Sequence, residues 1–555
     1  MRRTFGICLA AAGISLALTL PALAQESPEL PAKPLTEAQP VTGEELRFYK
    51  GKGPGRGNSY VERYEEDYSY LRDPNLSTDP WFDPLKFIPF DPNGDVFLTL
   101  NGETRFRYDY TDHRNLGIAT AAVPPAKPGA KPVLTPETQA GPNELYKQRY
   151  ALGGDLHLGE NLRFYADLYH GQQTGHDVGP SVPGSQRDEL GLVNGFGEVY
   201  GIVDDAKTGF RAGRQEIFFG NDLQVRANVS TNLPSPVFDG FRAYRDWGPA
   251  RVDVFAYNLV NFANDILQDK DNAHVNLWGV YTSYDLPKSE WLSSIGGDNR
   301  ASVDLFYFGW RGSPNASAKG AGFYNDRALL TGGKITAATG AGFVSSQDHR
   351  YTVGLRAYGE VGNFDYDWQA AYQTGSYAGF TVAAFAFNTD TGYTFHDTPW
   401  KPRISTHVDG ASGGASSSSG VLQTYQPMYP NTQYYVPNNE FAPTNFYDIA
   451  PRVRIEPLPT VSAEYYYAFL WRYSEGDAIY TGAPWPGAQG QNTYAVTVLF
   501  PGRPIGQQSD LRINWTIAPH LLFLGEFGVF FPGSALRAAG GRITTFLDAN
   551  LTFRF

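Results

Sequence analysis

The residues with chemistry to offer come in alternation. Within Leu98–Tyr110, Asn101, Glu103, Arg105, Arg107 and Asp109 share one face, while Leu98, Leu100, Phe106, Tyr108 and Tyr110 share the other. This is what an extended strand does, because successive side chains point to opposite sides. Arg149, Asp155 and His157 alternate in the same way with Tyr150, Leu152, Leu156 and Leu158. After the tight-turn sequence Gly159-Glu160-Asn161, Arg163, Tyr165, Asp167 and Tyr169 alternate with Leu162, Phe164, Ala166 and Leu168. Guanidinium groups on such a face can hold carboxylates through paired N–H donors. The interleaved acids can instead neutralise that field and brace the face through ion pairs. Bracing is the expected role for most of these residues, with a smaller subset left to form a constriction. Tyr165 and Tyr169 offer flat faces on which sugar rings can stack.

Bond-making chemistry finds little support. The 9 histidines form no HExxH pattern and no close ligand set, so His157, His170, His176 and His349 read as isolated polar groups and no metal is expected. There is no Gly-Lys-Ser/Thr phosphate loop. Glu65-Glu66 and the alternating carboxylates lack the context of an acid–base pair. Neither an enzyme nor a cofactor is expected.

The elements that must carry these residues are strands. Further alternating runs lie at Leu192–Gly201, Gly209–Glu216, Gly240–Arg245, Arg251–Tyr257, Val275–Tyr284, Ser302–Trp310, Tyr351–Tyr358, Phe364–Gln373 and Tyr377–Phe387. More follow at Tyr447–Glu456, Val461–Tyr473, Thr493–Phe500, Leu511–Ile517, Leu521–Phe530, Gly540–Asp548 and Leu551–Phe555. With weaker stretches the total falls between about 14 and 20. Short turns such as Gly159–Asn161 and Asp204–Lys207 contrast with long stretches at 112–146, 171–188, 311–348 and 390–444, rich in small and polar residues. The stretch Gly410–Gly420, nearly all Gly, Ala and Ser, has the composition of a flexible linker.

The aromatic fraction is 15%, which suits strands and both rims of a membrane barrel. Arg2 and Arg3, the apolar run Ile7–Leu20, and Pro21 before Ala22-Leu23-Ala24 read as an export signal over 1–24. Cys8, the only cysteine, lies within it, so no disulfide is expected. No later segment has the 18 or more consecutive apolar residues of a membrane helix. A net charge of −12 argues against nucleic acid as a partner. Residues 25–90, rich in Pro, Gly and charged aromatics, read as a periplasmic lead-in, and 91–555 as the barrel. A soluble β-sandwich or propeller is the alternative composition leaves open. The wet, charged face and unequal loops favour an all-β, large antiparallel transmembrane barrel in the bacterial outer membrane, with long extracellular loops and lipid as its outer partner.

Several motifs resemble the alginate export family of outer-membrane barrels: Arg63–Arg72, Asp79-Pro80-Trp81, Asp83-Pro84-Leu85-Lys86 and the strand Leu98–Tyr108. The most specific block is Phe210-Arg211-Ala212-Gly213-Arg214-Gln215-Glu216, followed by Phe238-Asp239-Gly240, Arg242 and Val252-Asp253-Val254-Phe255. The resemblance implies a monomeric porin of about 18 strands that passes a polar, anionic polysaccharide passively, with periplasmic export proteins as partners. A porin taking up small anions, sugars or organic acids is the second reading, and a plugged barrel the third. Gly213, Arg214, Gln215, Glu216, Asp239, Gly240 and Arg242 are expected to be structural. Phe210 and Ala212 define an outward face that would include Arg214. An arginine facing lipid costs about 2–4 kcal/mol at mid-bilayer, so a bulge at Gly213 or an interfacial strand end is expected there.

Overall fold

The computed structural model describes residues 63–555 except 67, 78, 114–121, 124–132, 135–142, 176–185, 221–223, 226–231, 235, 288–298, 313–347, 378–379, 417–419, 431–434, 436–440, 476, 478, 481–494, 497–501 and 539–540. The expected export signal lies outside these residues. Among them, no helix is long and apolar enough to cross a membrane.

Eighteen strands close one barrel. The first six are β1 (Val96–Thr111), β2 (Asn143–Leu158), β3 (Leu162–Gly175), β4 (Asp188–Val203), β5 (Ala206–Gln215) and β6 (Phe238–Asp246). The next six are β7 (Ala250–Asn261), β8 (Lys270–Asp285), β9 (Arg300–Gly312), β10 (Asp348–Val361), β11 (Phe364–Tyr377) and β12 (Phe380–Thr394). The last are β13 (Arg403–Ala411), β14 (Phe446–Leu458), β15 (Val461–Arg472), β16 (Pro504–Ala518), β17 (Leu521–Pro532) and β18 (Thr544–Arg554). Each pairs antiparallel with the next. β18 closes on β1, with Arg554 opposite Glu103 and Phe546 opposite Thr111. Closure leaves no unpaired edge, which is the condition for a sheet to stand in hydrocarbon.

Alternation sets the two surfaces. Phe106, Tyr150, Leu152, Phe164, Phe241, Leu305, Val353, Leu355 and Tyr372 stand exposed on the outer wall, where lipid replaces water. Tight turns such as 159–161, 204–205, 362–363, 459–460 and 519–520 join strands at one end. The strands joined by the long connections 112–142, 216–237, 313–347 and 412–445 meet them at the other end, the pattern of periplasmic turns and extracellular loops.

Two departures from the sequence reading stand out. β13 lies inside the stretch 390–444 expected to be a single loop, and it takes in Gly410 and Ala411 at the head of the expected linker. Its outward side shows Ile404, Thr406 and Val408, while Ser405, His407 and Asp409 turn inward, so its alternation is weak in hydropathy though regular in polarity. The second departure is the lumen. Toward the long-loop end it holds an apolar core, in which inward wall residues Phe255, Tyr257, Phe306, Phe308 and Trp310 pack with Phe219, Tyr425, Met428 and Tyr429 from long connections. A polar lumen throughout was expected.

Gly213 sits near the end of β5 at φ +134°, and a Cβ there would lie 2.3 Å from Gly195 O on the neighbouring strand. Gly213→Ala is therefore expected to destabilise the barrel by about 1–3 kcal/mol, read as a lower urea midpoint in heat-shifted gel mobility. Gly159→Ala, with open space around the same atom, is expected to shift it less.

Candidate functional site

The predicted inward faces of β1, β2 and β3 converge on one charged wall. Glu103, Arg105, Arg107 and Asp109 are each 3–6% exposed. Arg149, opposite Arg105 across the strand pair, donates from Nε to Glu103 Oε1 at 2.7 Å. Glu103 also meets Arg554 at 3.0 Å and Arg63 at 4.0 Å. Arg107 contacts Asp109 at 2.5 Å and Asp548 at 3.0 Å, and Lys147 contacts Asp109 at 2.8 Å. Arg163 bonds Glu198 at 2.6 Å and Asp155 at 3.0 Å, and Arg211 reaches Glu198 at 3.0 Å. Asp167 accepts from the amide N–H and side chain of Asn194 at 2.7 and 3.0 Å. The structure thus brings the predicted charges together on one wall, most of them in ion pairs, with Asp167 held by Asn194. The inward position of an ion here is set by strand parity, and its partner by register.

Two inward segments complete this wall. The lead-in inserts Tyr64, fully buried, between Tyr165 and Phe196, with ring centroids 5.8 and 5.4 Å away. Its carbonyl accepts from Arg163 at 2.7 Å, and its hydroxyl donates to Glu216 O at 3.0 Å. From the other end, the connection 216–237 delivers Asn232. Its carbonyl accepts from Arg105 at 3.1 Å and Arg149 at 3.2 Å, and its amide donates to Gln148 O and Gln172 O. Leu233 packs there with Tyr169 and Val193. Tyr165 and Tyr169 therefore face protein segments inside the lumen, at 1% and 4% exposure.

The connection 412–445 descends beside 216–237. Tyr429 N–H donates to Gln224 O at 2.8 Å, and Tyr425 OH donates to Gln224 Oε1 at 3.0 Å. Trp310 on β9 donates to Tyr429 OH at 3.2 Å, and Gln373 on β11 donates to Gln426 O at 2.9 Å. Sequence reasoning missed these anchors, since nothing in a loop's composition shows which wall it meets.

The Gly213–Glu216 block joins these parts. Arg214 does fall on the Phe210–Ala212 side, at the strand end, where it forks onto Asp239 at 2.8 and 2.9 Å. Gln215 accepts from Tyr257 OH at 3.1 Å, and Glu216 Oε2 accepts from Asn194 at 3.0 Å. Gly240 is pressed against β7, where a Cβ would lie 2.2 Å from Ala256 O. Arg242 bonds Asp253 at 2.8 Å. The pairings of β5 with β4 and β6 run without a register shift, so the strand end and the ion pair, not a bulge, accommodate Arg214.

One group was not anticipated. His407, Asp409 and Asp448 are fully buried together on β13 and β14. Arg452 donates to His407 Nδ1 at 2.6 Å, which leaves the proton of a neutral ring on Nε2, 3.1 Å from Asp448 Oδ2. A metal on Nε2 would have to displace that bond, so the arrangement reads as a buried relay of charge pairs.

The family described as alginate export matches residues 130–550, and the chain belongs to that family. It is a transport barrel of the bacterial outer membrane. No curated protein matches the sequence. Among solved structures, it is similar to OpdQ of Pseudomonas aeruginosa at 10% identity and TM-score 0.47, covering 82% of this chain and 97% of that one. OpdK of Pseudomonas aeruginosa with vanillate shows 9% identity and TM-score 0.47, covering 82% and 98%. OpdO of the same organism shows 11% and 0.46, covering 82% and 97%.

Because Glu103 and Arg149 are buried against one another, removing either alone takes a close partner from a buried charge, a loss with an upper bound of about 3–5 kcal/mol. A double-mutant cycle with Glu103→Gln and Arg149→Gln is expected to return a coupling of about 0.5–3 kcal/mol in urea unfolding.

Proposed function

We propose that this barrel is a substrate-selective channel that takes up small polar anions, such as organic acids or acidic sugars, down their own gradient. The carrying observation is a cluster of cations. On β18, β1, β2 and the adjoining lead-in, Arg63, Arg105, Arg107, Lys147, Arg149 and Arg554 gather around Glu103, Asp109 and Asp548. Arg105 leans on the neutral carbonyl groups of Asn232. A low-dielectric wall on which cations cluster attracts anions and repels cations.

Size follows from the inward segments. The lead-in and the connections 216–237 and 412–445 sit on opposite approaches to this wall, and they leave less room than an empty barrel of eighteen strands would. Solutes of one or a few sugar rings fit that restriction better than a hydrated polymer. Passage is passive, driven by the solute's own gradient.

The second reading is export of an anionic polysaccharide with periplasmic partners, favoured by the family match over 130–550. It requires the inward segments to move aside.

In a planar bilayer under a salt gradient, the reversal potential is expected to report anion preference, and Arg105→Gln is expected to lower the anion-to-cation permeability ratio about two- to tenfold. Proteoliposomes should swell in small organic anions. Cation preference would contradict the proposal, and micromolar block by an acidic polysaccharide would shift the account to export.

A further inference from the structure

Where β4 begins, at the long-loop end of the wall, two carboxylates look into one space. Asp188 is fully buried. Its Oδ1 accepts the amide of Leu190 at 3.0 Å, and its Oδ2 has no hydrogen-bond partner among the described residues. Asp269, whose side chain is 2% exposed, accepts the amide of Ala263 on Oδ1 at 2.8 Å. Its Oδ2 also receives no hydrogen bond. A Cβ built on Gly191 would lie 2.4 Å from Asp188 Oδ2 and 3.2 Å from Asp269 Oδ2, so both free oxygens converge above a glycine.

The surrounding charge is not balanced. Asp265 and Glu189 are further acids beside Asp188. Arg214 keeps its fork on Asp239 and comes within 3.7 Å of Asp269 Oδ2. A water molecule can bridge two oxygens but cannot offset this excess. A cavity of about 390 Å³, lined by Leu192, Gly195, Arg214, Asp239, Leu267 and Asp269, opens beside Asp269.

We propose that Asp188 and Asp269 bind a divalent cation of the calcium type, which clamps the connection 262–269 onto the start of β4. Hard cations take carboxylate oxygens and keep water for the rest of their shell. The two segments are already joined there, because Glu189 N–H donates to Asn264 O at 3.1 Å and Leu267 N–H donates to Leu190 O at 2.8 Å. The clamp also has a line to the lumen. Gln186, two residues before Asp188, accepts from the Asn232 amide N–H at 3.1 Å and from its side chain at 3.1 Å. A cation at this corner thereby stiffens the anchor of the segment that caps Arg105 and Arg149.

The test is calorimetric titration of calcium chloride into the EDTA-stripped, folded barrel in detergent, with folding checked by heat-shifted gel mobility. One site per chain is expected, with Kd of about 10⁻⁴–10⁻³ M or tighter. Affinity should fall at least tenfold in Asp188→Asn, in Asp269→Asn and in Gly191→Ala, which fills the space without changing charge. Asp204→Asn, at an exposed turn on the opposite end, should bind like the parent. Calcium, but not potassium at equal ionic strength, should also raise the unfolding temperature of the parent chain. No binding by the folded parent at millimolar calcium overturns the proposal. So does full affinity in folded Gly191→Ala and Asp269→Asn.

Discussion

Charge turned inward from a sheet must find charge or water, and in this barrel much of it finds protein. A guanidinium removed from water loses several kcal/mol of hydration, recovered only through close, well-aimed partners. Register supplies one of these directly, placing Arg163 opposite Glu198, whereas Arg107 stands opposite Lys147 and Asn550 and draws its acids, Asp109 and Asp548, from two residues along the strands. It leaves Arg105 facing Arg149, a like-charge pair that the strands alone do not resolve. Glu103 takes Arg149, and the carbonyl groups of Asn232, brought in by a connection, take donors from both. The inward segments are thus part of how the wall is satisfied, and the wall in turn fixes where they lie.

The same logic divides the lumen. Near the tight turns the lead-in fills space with Tyr64, whose carbonyl accepts from Arg163, and its Arg63 donates to Phe555 O at 2.9 Å. Toward the long loops the wall turns aromatic, and the connections 216–237 and 412–445 meet it with Phe219, Tyr425 and Tyr429. Aromatic residues facing inward would be poorly placed against open water and are well placed against a folded segment. The Gly213–Glu216 block sits between the two regimes. Its backbone carries the hydroxyl of Tyr64, its side chains carry Asn194 and Tyr257, and its arginine holds Asp239. The family motif is thus a junction between wall, lead-in and loop.

Much of the barrel was legible because hydropathy alternates wherever one face meets lipid. Leu98–Tyr110 and Leu162–Tyr169 announce both faces, and every predicted inward charge of β1 to β3 lies inward. β13 was not legible, since lipid meets only Ile404, Thr406 and Val408, and its inward Ser405, His407 and Asp409 resemble loop composition. Arg214 was legible as a conflict, and its resolution, an ion pair with Asp239 at a strand end, needed register between strands separated by a long connection. The partners of Arg105, Tyr165 and Tyr169 were not legible at all. They come from Asn232, Tyr64 and Leu233, and contacts between segments far apart in the chain leave no local pattern.

The central claim is that inward-folded segments, held by the wall, set the width of the passage. Single-channel conductance of the barrel with residues 421–430 replaced by a short Gly-Ser linker tests it most directly. The account predicts a folded barrel whose conductance rises severalfold over the parent and whose anion preference weakens as the lumen opens. A folded variant with the parent's conductance and selectivity would contradict it, placing the restriction elsewhere along the wall.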